Sequence, residues 1–353
     1  MEGRTAKFHP KRILIVLHGS IGDVTRALPL ANLLRKGFPT AFIAWAVEPA
    51  AFPLVQGNDA IDEILLFDRA QWYKTWRPFL ARIRGGRFDL VLDLQRHFKS
   101  GIISRWSGAS ERIGFHRRDS KEGNWLFNNR HLPPYGDRIA KIEHYLKFID
   151  YLGIPRTPLE WDFNLSAAEQ ANVERHLNKT RHNFGALFVG TRWQSKLWFP
   201  TQMAQCAERL RREHGLDAVL LGAREDEVLA REVEALGASV TNLVGQTTLR
   251  EAIGVIQRAK LAIGPDTGLM HIAAAVRTPV ISLWGATRPQ RTGPYGFDHL
   301  VLQGQAPCVP CNRRTCSIGR ICLRSITPEQ ISAKIKLALR GPSVLAAAHA
   351  SRE

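Results

Sequence analysis

The sequence predicts an α/β protein built from two doubly wound domains, and three observations carry that expectation. The chain has 353 residues, enough for about two domains at roughly 150 residues each. In both halves short β-rich apolar runs alternate with amphipathic stretches, the pattern of parallel strands covered by helices. Each half also opens on an apolar strand followed at once by a turn of small residues, which is where doubly wound folds place nucleotide and phosphate sites.

In the first half, strands are predicted at Ile13 to Leu17, Ala41 to Val47, Glu63 to Phe67 and Leu90 to Leu94. Between the first two, Leu28, Ala31 and Leu34 recur at helical spacing within Thr25 to Lys36, and Gly37 and Pro39 stop that helix. A helix over Ile139 to Leu152 precedes a polar stretch, Asn164 to His182, which reads as the linker. The second half repeats the pattern. Its strands are predicted at Gly185 to Gly190, Ala218 to Leu221, Leu261 to Gly264 and Val280 to Trp284, with helices at Gln202 to Glu213, Glu225 to Leu236 and Leu249 to Ala259. Pro328 to Leu339 is predicted as a final helix and Gly341 to Glu353 as a frayed tail. Domains are accordingly expected over 1–165, 166–326 and a terminal 327–353, the first two Rossmann-like and facing each other across a cleft.

With 44% hydrophobic and 23% charged residues, the composition is that of a globular protein and excludes a disordered or collagen-like one. The longest apolar runs fall far short of the ~18 to 20 residues that span a bilayer, so a transmembrane protein is excluded. The basic start (Arg4, Lys7, Lys11, Arg12) leads into a strand and a glycine loop and does not read as a signal peptide. Five cysteines, four of them between Cys308 and Cys322, make no secreted disulfide framework, and a cytoplasmic location is expected. Lys plus Arg number 49 against 32 Asp plus Glu, and the resulting net charge of +17 calls for an anionic partner: nucleic acid, lipid headgroups or a phosphorylated substrate.

Three loops carry chemistry. The first strand runs into His18-Gly19-Ser20-Ile21-Gly22-Asp23-Val24, which puts Asp23 either over the ligand crevice at the strand's carboxyl end or at the cap of a helix starting at Val24 or Thr25. In the second half, Thr191, Arg192 and Lys196 place a hydroxyl, a guanidinium and an ammonium on a loop that leads to a helix, a set suited to a diphosphate, although a plain solvated loop carries the same residues. At Gly264-Pro265-Asp266-Thr267-Gly268-Leu269-Met270-His271, Asp266 or Thr267 can cap, and the helix from Gly268 offers backbone N–H groups and a positive dipole end to an anion. His271, in its first turn, can add a hydrogen bond, although a lone helical His is also an ordinary core residue.

Three further features are less specific. Cys308, Cys311, Cys316 and Cys322 can supply four thiolates to a structural Zn ion, although their gaps are not the paired spacing of a zinc ribbon and a metal-free cluster or labile disulfide fits as well. Cys206, alone on a helix, reads as core. Between Arg69 and Arg87 there is no acidic residue, while Trp72, Trp76, Phe79, Leu80 and Ile83 recur at helical spacing. That stripe either packs on the domain's own sheet or rests on an anionic membrane surface.

Taken together, the three loops resemble the glycosyltransferase family 9 heptosyltransferases. The resemblance runs from Ile13 to about Glu329. It includes Gly22-Asp23-Val24 with Leu28-Pro29, Asp93-Leu94-Gln95 with Lys99-Ser100, Arg112-Ile113-Gly114-Phe115, Lys196-Leu197-Trp198, Pro265-Asp266-Thr267-Gly268 with His271, Gly293-Pro294-Tyr295-Gly296, and Cys308-Val309-Pro310-Cys311. It implies a GT-B fold and a single inverting displacement at the anomeric carbon of ADP-heptose, with a lipopolysaccharide inner-core glycolipid as acceptor and no cofactor or DxD-like metal site. By position, Asp23 matches the catalytic base and Lys196 the diphosphate-binding lysine. Thr191, Asp266, Thr267, Gly268, Leu269 and His271 match the donor site, and Asp266 is expected to bond donor-sugar hydroxyls. Arg192 stands where the family often has Ser or Thr. Leu17 stands where the family commonly has Lys or Arg.

For the anionic acceptor, Gln95, Arg96 and Lys99 lie just past a strand end, and Arg112, Arg117, Arg118 and Lys121 form a second basic segment. A peripheral position at the inner membrane is expected. The alternatives are a family member with another nucleotide-sugar donor, or a noncatalytic polyanion or RNA binder on the same scaffold. No RNP, KH or helix-turn-helix signature is present, and no nucleic-acid partner is expected.

Overall fold

Ile13, Leu14, Ile15 and Val16 are all fully buried, as only a strand covered on both faces can be. They belong to one of two parallel sheets in the protein, whose structure, a computed structural model, describes residues 8–136, 139–156, 158–178, 180 and 183–340. The chain divides into two units, 1–164 and 165–353.

The first unit runs β1 (Arg12–Val16), α1 (Ile21–Gly37), β2 (Phe42–Val47), α2 (Phe52–Val55), β3 (Glu63–Leu66), α3 (Trp72–Gly85), β4 (Leu90–Asp93), α4 (Phe98–Trp106), β5 (Glu111–Gly114), β6 (Arg130–His131) and α5 (Lys141–Tyr151). Its strands are ordered β3-β2-β1-β4-β5-β6, all parallel. The second unit runs α6 (Ala167–Leu177), β7 (Phe184–Phe188), α7 (Pro200–His214), β8 (Asp217–Leu221), α8 (Glu227–Ala235), β9 (Val240–Asn242), α9 (Leu249–Arg258), β10 (Leu261–Pro265), α10 (Gly268–Ala275), β11 (Val280–Trp284), α11 (Pro289–Thr292), β12 (Val301–Gln303), α12 (Ile321–Arg324) and α13 (Pro328–Leu339). Its order, β12-β11-β10-β7-β8-β9, is that of the first unit read from the other edge. Both are the Rossmann order. The strand order reverses between β1 and β4 in one unit and between β7 and β10 in the other, which are the points where such sheets bind ligands.

The predicted central strands and the helices around them are present, with ends shifted by a few residues. Four short strands, β5, β6, β9 and β12, have no counterpart in the sequence reading, because they are peripheral, two to four residues long and partly polar. The stretch expected as a linker holds α6. It is opened by a reciprocal capping box between Ser166 and Glu169, and Glu169 also accepts from Arg250 Nε at 2.5 Å. Only Val173 of α6 is buried, so the helix lacks the apolar stripe by which helices are recognised. Helix α13 is continuous with the second unit's core through Ile331 and Ile335. Arg4, Lys7 and the predicted tail lie outside the described residues.

Helix α3 divides its aromatic residues. Phe79 and Ile83 are buried, and Trp76 and Leu80 pack beside them on the first unit's core. Trp76 therefore faces the protein, its ring 5.8 Å from that of Phe67. Trp72 and Tyr73, at the start of the helix, remain 59% and 65% exposed. Among the described residues, no helix is long and apolar enough to cross a membrane.

Candidate active site

In the first unit, the loop after β1 delivers Asp23 within the first turn of α1, whose cap is Ser20. No side-chain capping bond is made there, so Asp23 is not the helix cap. Its Oδ1 accepts from Lys141 Nζ at 2.5 Å and Arg26 Nη2 at 2.8 Å. The Tyr145 hydroxyl donates to the same oxygen at 3.2 Å. Burial by itself would raise the carboxyl's pKa, but the Lys141 ammonium and then the Arg26 guanidinium outweigh it and hold the group far below the usual carboxylate range. Tyr145 moves the other way: burial, and then the Asp23 charge, push its hydroxyl well above the ordinary tyrosine value. Lys141 and Tyr145 sit one turn apart on α5, a helix in which sequence reading found no functional residue.

The loop after β4 lies across the switch point. Gln95 Oε1 accepts from His18 N at 3.0 Å, which ties the two loops together. Beneath it, the fully buried Asp93 accepts from Asn124 Nδ2 at 2.6 Å, Asn128 Nδ2 at 3.3 Å and Gln95 N at 3.2 Å. Burial raises its pKa against those bonds, and the carboxyl serves to pin the loop. Arg96 follows with φ of 72°, a left-handed conformation that costs energy outside glycine. Its guanidinium reaches His144 Nδ1 at 3.3 Å, and His144 Nδ1 also meets the Tyr135 hydroxyl at 2.8 Å. His18, its ring centre 4.9 Å from that of Phe67, is held neutral: burial and then Arg69 bring its pKa down to about 3.

Lys99, Arg117, Arg118 and Lys121 are exposed. Arg112 is not available as expected, because its guanidinium is spent on the Phe127 carbonyl at 3.1 Å and the Ala109 carbonyl at 2.5 Å.

In the second unit, the loops after β7 and β10 meet. Thr191 Oγ1 donates to the Asp266 carbonyl at 3.0 Å, and Lys196 Nζ bonds Asp266 Oδ2 at 2.6 Å. Thr287, unmarked in the sequence, donates to that same Oδ2 at 2.7 Å. In this structure Asp266 thus positions the Lys196 ammonium, where a role toward sugar hydroxyls was expected. The ammonium also lies 4.3 Å from the centre of the Trp193 ring. Gly190 is required here, since a Cβ would fall 1.9 Å from the Asp226 carboxylate. Helix α10 begins at Gly268 with Thr267 as its cap residue. Neither expected side-chain cap forms, so its first N–H groups are not taken by Thr267. Leu269 is half-buried and His271 buried in that first turn, while Arg192 is exposed.

All five cysteines are free thiols. Cys322 is buried against Gly285 whereas Cys308 is exposed, and among the described residues no three His, Cys, Asp or Glu side chains form a group that could hold a metal ion. The ligand set for a structural Zn is not assembled. The segment instead braces the loop that carries Lys196. Ser195 Oγ donates to the Arg313 carbonyl at 2.5 Å, Cys316 N donates to Gln194 Oε1 at 2.9 Å, and Arg320 Nη1 donates to the Leu197 carbonyl at 2.6 Å. Cys206 is core as expected, its thiol pushed up to about 12 by burial.

Two units of Rossmann strand order are the architecture of the GT-B class of glycosyltransferases. Residues 76–322, more than two thirds of the chain, match glycosyltransferase family 9 (heptosyltransferase), and the chain belongs to that family. It is 26% identical over 297 residues to the lipopolysaccharide core heptosyltransferase OpsX of Haemophilus influenzae, covering 83% of this chain and 84% of the relative. Lipopolysaccharide heptosyltransferase 1 of Pseudomonas aeruginosa is 24% identical, with 95% and 99% covered. The fold is shared with Escherichia coli ADP-heptose lipopolysaccharide heptosyltransferase II at a TM-score of 0.73 and 22% identity, over 93% of this chain and 98% of that one.

Proposed function

We propose that this glycosyltransferase moves a heptose from ADP-heptose to an acceptor in the lipopolysaccharide inner core, by a single inverting displacement that draws on no metal. The observation that carries the reading is the pair of switch-point groups, Asp23 in one unit and Lys196 beside the start of α10 in the other. The relatives named as heptosyltransferases support the donor and acceptor classes.

In the step proposed, an acceptor hydroxyl oxygen bonds to the anomeric carbon as the bond from that carbon to the diphosphate oxygen breaks. The hydroxyl proton passes to Asp23, and ADP leaves with the electron pair. Negative charge grows on the diphosphate as the bond breaks. Lys196, held by Asp266, whose carboxylate also accepts from Thr287, and the N–H groups opening α10 supply a preorganised positive potential. Thr191, Arg192, Thr267, Gly268, Leu269 and His271 complete the donor side in this reading. Gln95, Lys99, Arg117 and Arg118 meet the acceptor.

Exposed Trp72 and Tyr73 beside Lys74 and Arg77 support a peripheral position on an anionic membrane surface. The test of the function is release of ADP, UDP or GDP from a panel of sugar nucleotides with inner-core acceptor present. Acceptor-dependent ADP release from ADP-heptose, undiminished by EDTA and giving the inverted anomer, is expected. Turnover of UDP- or GDP-sugars alone would overturn the donor assignment.

A further inference from the structure

Lys196 stands three residues after Trp193, across the 3₁₀ turn Gln194–Lys196. A 3₁₀ turn repeats every three residues, so the side chains of 193 and 196 fall on one face. The Lys196 N–H closes the turn by donating to the Trp193 carbonyl at 3.0 Å. The residues between them are tied down as well: Ser195 N donates to the Arg314 carbonyl at 3.1 Å, and Gln194 Oε1 accepts from Cys316 N at 2.9 Å. With the turn held in this way, the half-buried indole meets the ammonium 4.3 Å from its ring centre.

The two groups on that ammonium act differently. Asp266 Oδ2, at 2.6 Å, brings a full negative charge, and a carboxylate so close opposes the field that the ammonium presents to a departing diphosphate. The indole face attracts the cation through its quadrupole and carries no net charge. It restrains the flexible four-carbon stem of the lysine without setting a counter-charge against it. The Lys196 side chain is only 15% exposed, and a cation–π contact is stronger where little water competes for the cation.

We propose that Trp193 is a positioning residue for Lys196: its ring keeps the ammonium in place while negative charge grows on the leaving diphosphate. The inference rests on the reading of Lys196 as the diphosphate's lysine and deepens it, because it assigns the hold on that charge to a neutral ring as well as to Asp266.

Full-length Trp193→Phe, Trp193→Leu, Lys196→Ala and the Trp193→Leu, Lys196→Ala double variant would be compared with wild type in acceptor-dependent ADP release from ADP-heptose. Trp193→Leu should lower kcat about 5- to 30-fold and raise the donor KM by less, because a misplaced ammonium matters most as the diphosphate leaves. Trp193→Phe should recover part of the loss, since it restores a π face where leucine only fills space. Equal kcat values for the two would reduce Trp193 to packing and overturn the proposal. In the Lys196→Ala background, Trp193→Leu should cost nothing further. A cost that persists there would mean that the indole touches the donor itself, and would overturn the proposal too. Denaturant unfolding of wild type, the Trp193→Leu and Lys196→Ala single variants and their double variant, without ligand, reads the contact independently of the reaction. The two substitutions should be non-additive in unfolding free energy, and additivity would overturn the contact. Non-additive unfolding together with wild-type turnover by Lys196→Ala would uphold the contact and overturn the Lys196 reading alone. Non-additive unfolding with no turnover of ADP-heptose by wild type would uphold the contact and overturn the donor reading alone.

Discussion

The two units share a strand order and a ligand-binding switch point, yet the electrostatics there are reversed. In the first unit a carboxylate, Asp23, is surrounded by cations from α1 and α5. In the second a cation, Lys196, is held by a carboxylate, Asp266, which also accepts from Thr287. In the proposed reaction a group that takes a proton and a group that faces growing negative charge need opposite signs, and one topology can support both because the strand ends fix position while the loops choose charge. The supports differ too. Asp266 positions Lys196, whereas Lys141 and Arg26 suppress the basicity on which Asp23 would rely.

That contrast can be broken at its centre first. Asp23→Asn should leave the fold intact by circular dichroism and donor affinity unchanged, while turnover falls ~10²-fold or more. Turnover within a few fold of wild type would reduce Asp23 to an ion-pair partner of α5. Next in size, Lys196→Ala should slow the chemical step about 10- to 100-fold and raise the donor KM, because its charge matters more as the diphosphate departs. Asp266→Asn and Thr287→Val should do less in the same direction, by misplacing the ammonium. If Asp266→Asn cost as much as Lys196→Ala, Asp266 would have to touch substrate itself.

A pH experiment sharpens the comparison from the side of stability. Folded His18 stays neutral down to about pH 3, whereas in the unfolded chain it protonates below its ordinary value of 6.5. Its contribution is therefore present above pH 6.5 and is lost as the pH falls toward 3, by about 1.4 kcal/mol for each unit in that window. The Tm difference between wild type and His18→Gln should shrink steadily from pH 7 to pH 4.5, and a constant difference would show that His18 is not buried as neutral imidazole. The smallest effect is expected on the surface of α3. A Trp72→Glu, Arg77→Glu double variant should sediment less with anionic vesicles at low salt while kcat on a soluble acceptor is unchanged. Undiminished binding would move the membrane face elsewhere.

Much of this molecule was legible in its residues. Central strands such as Ile13 to Val16 and Val280 to Trp284 are continuous apolar runs, because a parallel strand is covered on both faces. Their order along the chain, with helices between, left little choice of topology. Glycine-bearing turns after β1 and β10 and the Lys196 loop marked the candidate sites, since backbone approach to an anion restricts residue type locally. Helix α6 escaped notice because a capping box and one buried valine hold it, without an apolar stripe. The short strands β5, β6, β9 and β12 escaped because two to four partly polar residues carry no period.

What tertiary structure alone decided is which charges meet. Lys141 looks like any lysine at the start of an amphipathic helix, and nothing local says that α5 brings it to Asp23. Thr287 has no motif, and Arg112 reads as one more basic residue until its guanidinium is found capping carbonyls. Local sequence determines the conformation of a strand or a turn because the relevant forces act over a few residues. An ion pair joins atoms distant along the chain, so its existence, and with it how firmly Asp23 holds its charge, is set only when the sheet brings α1 and α5 side by side.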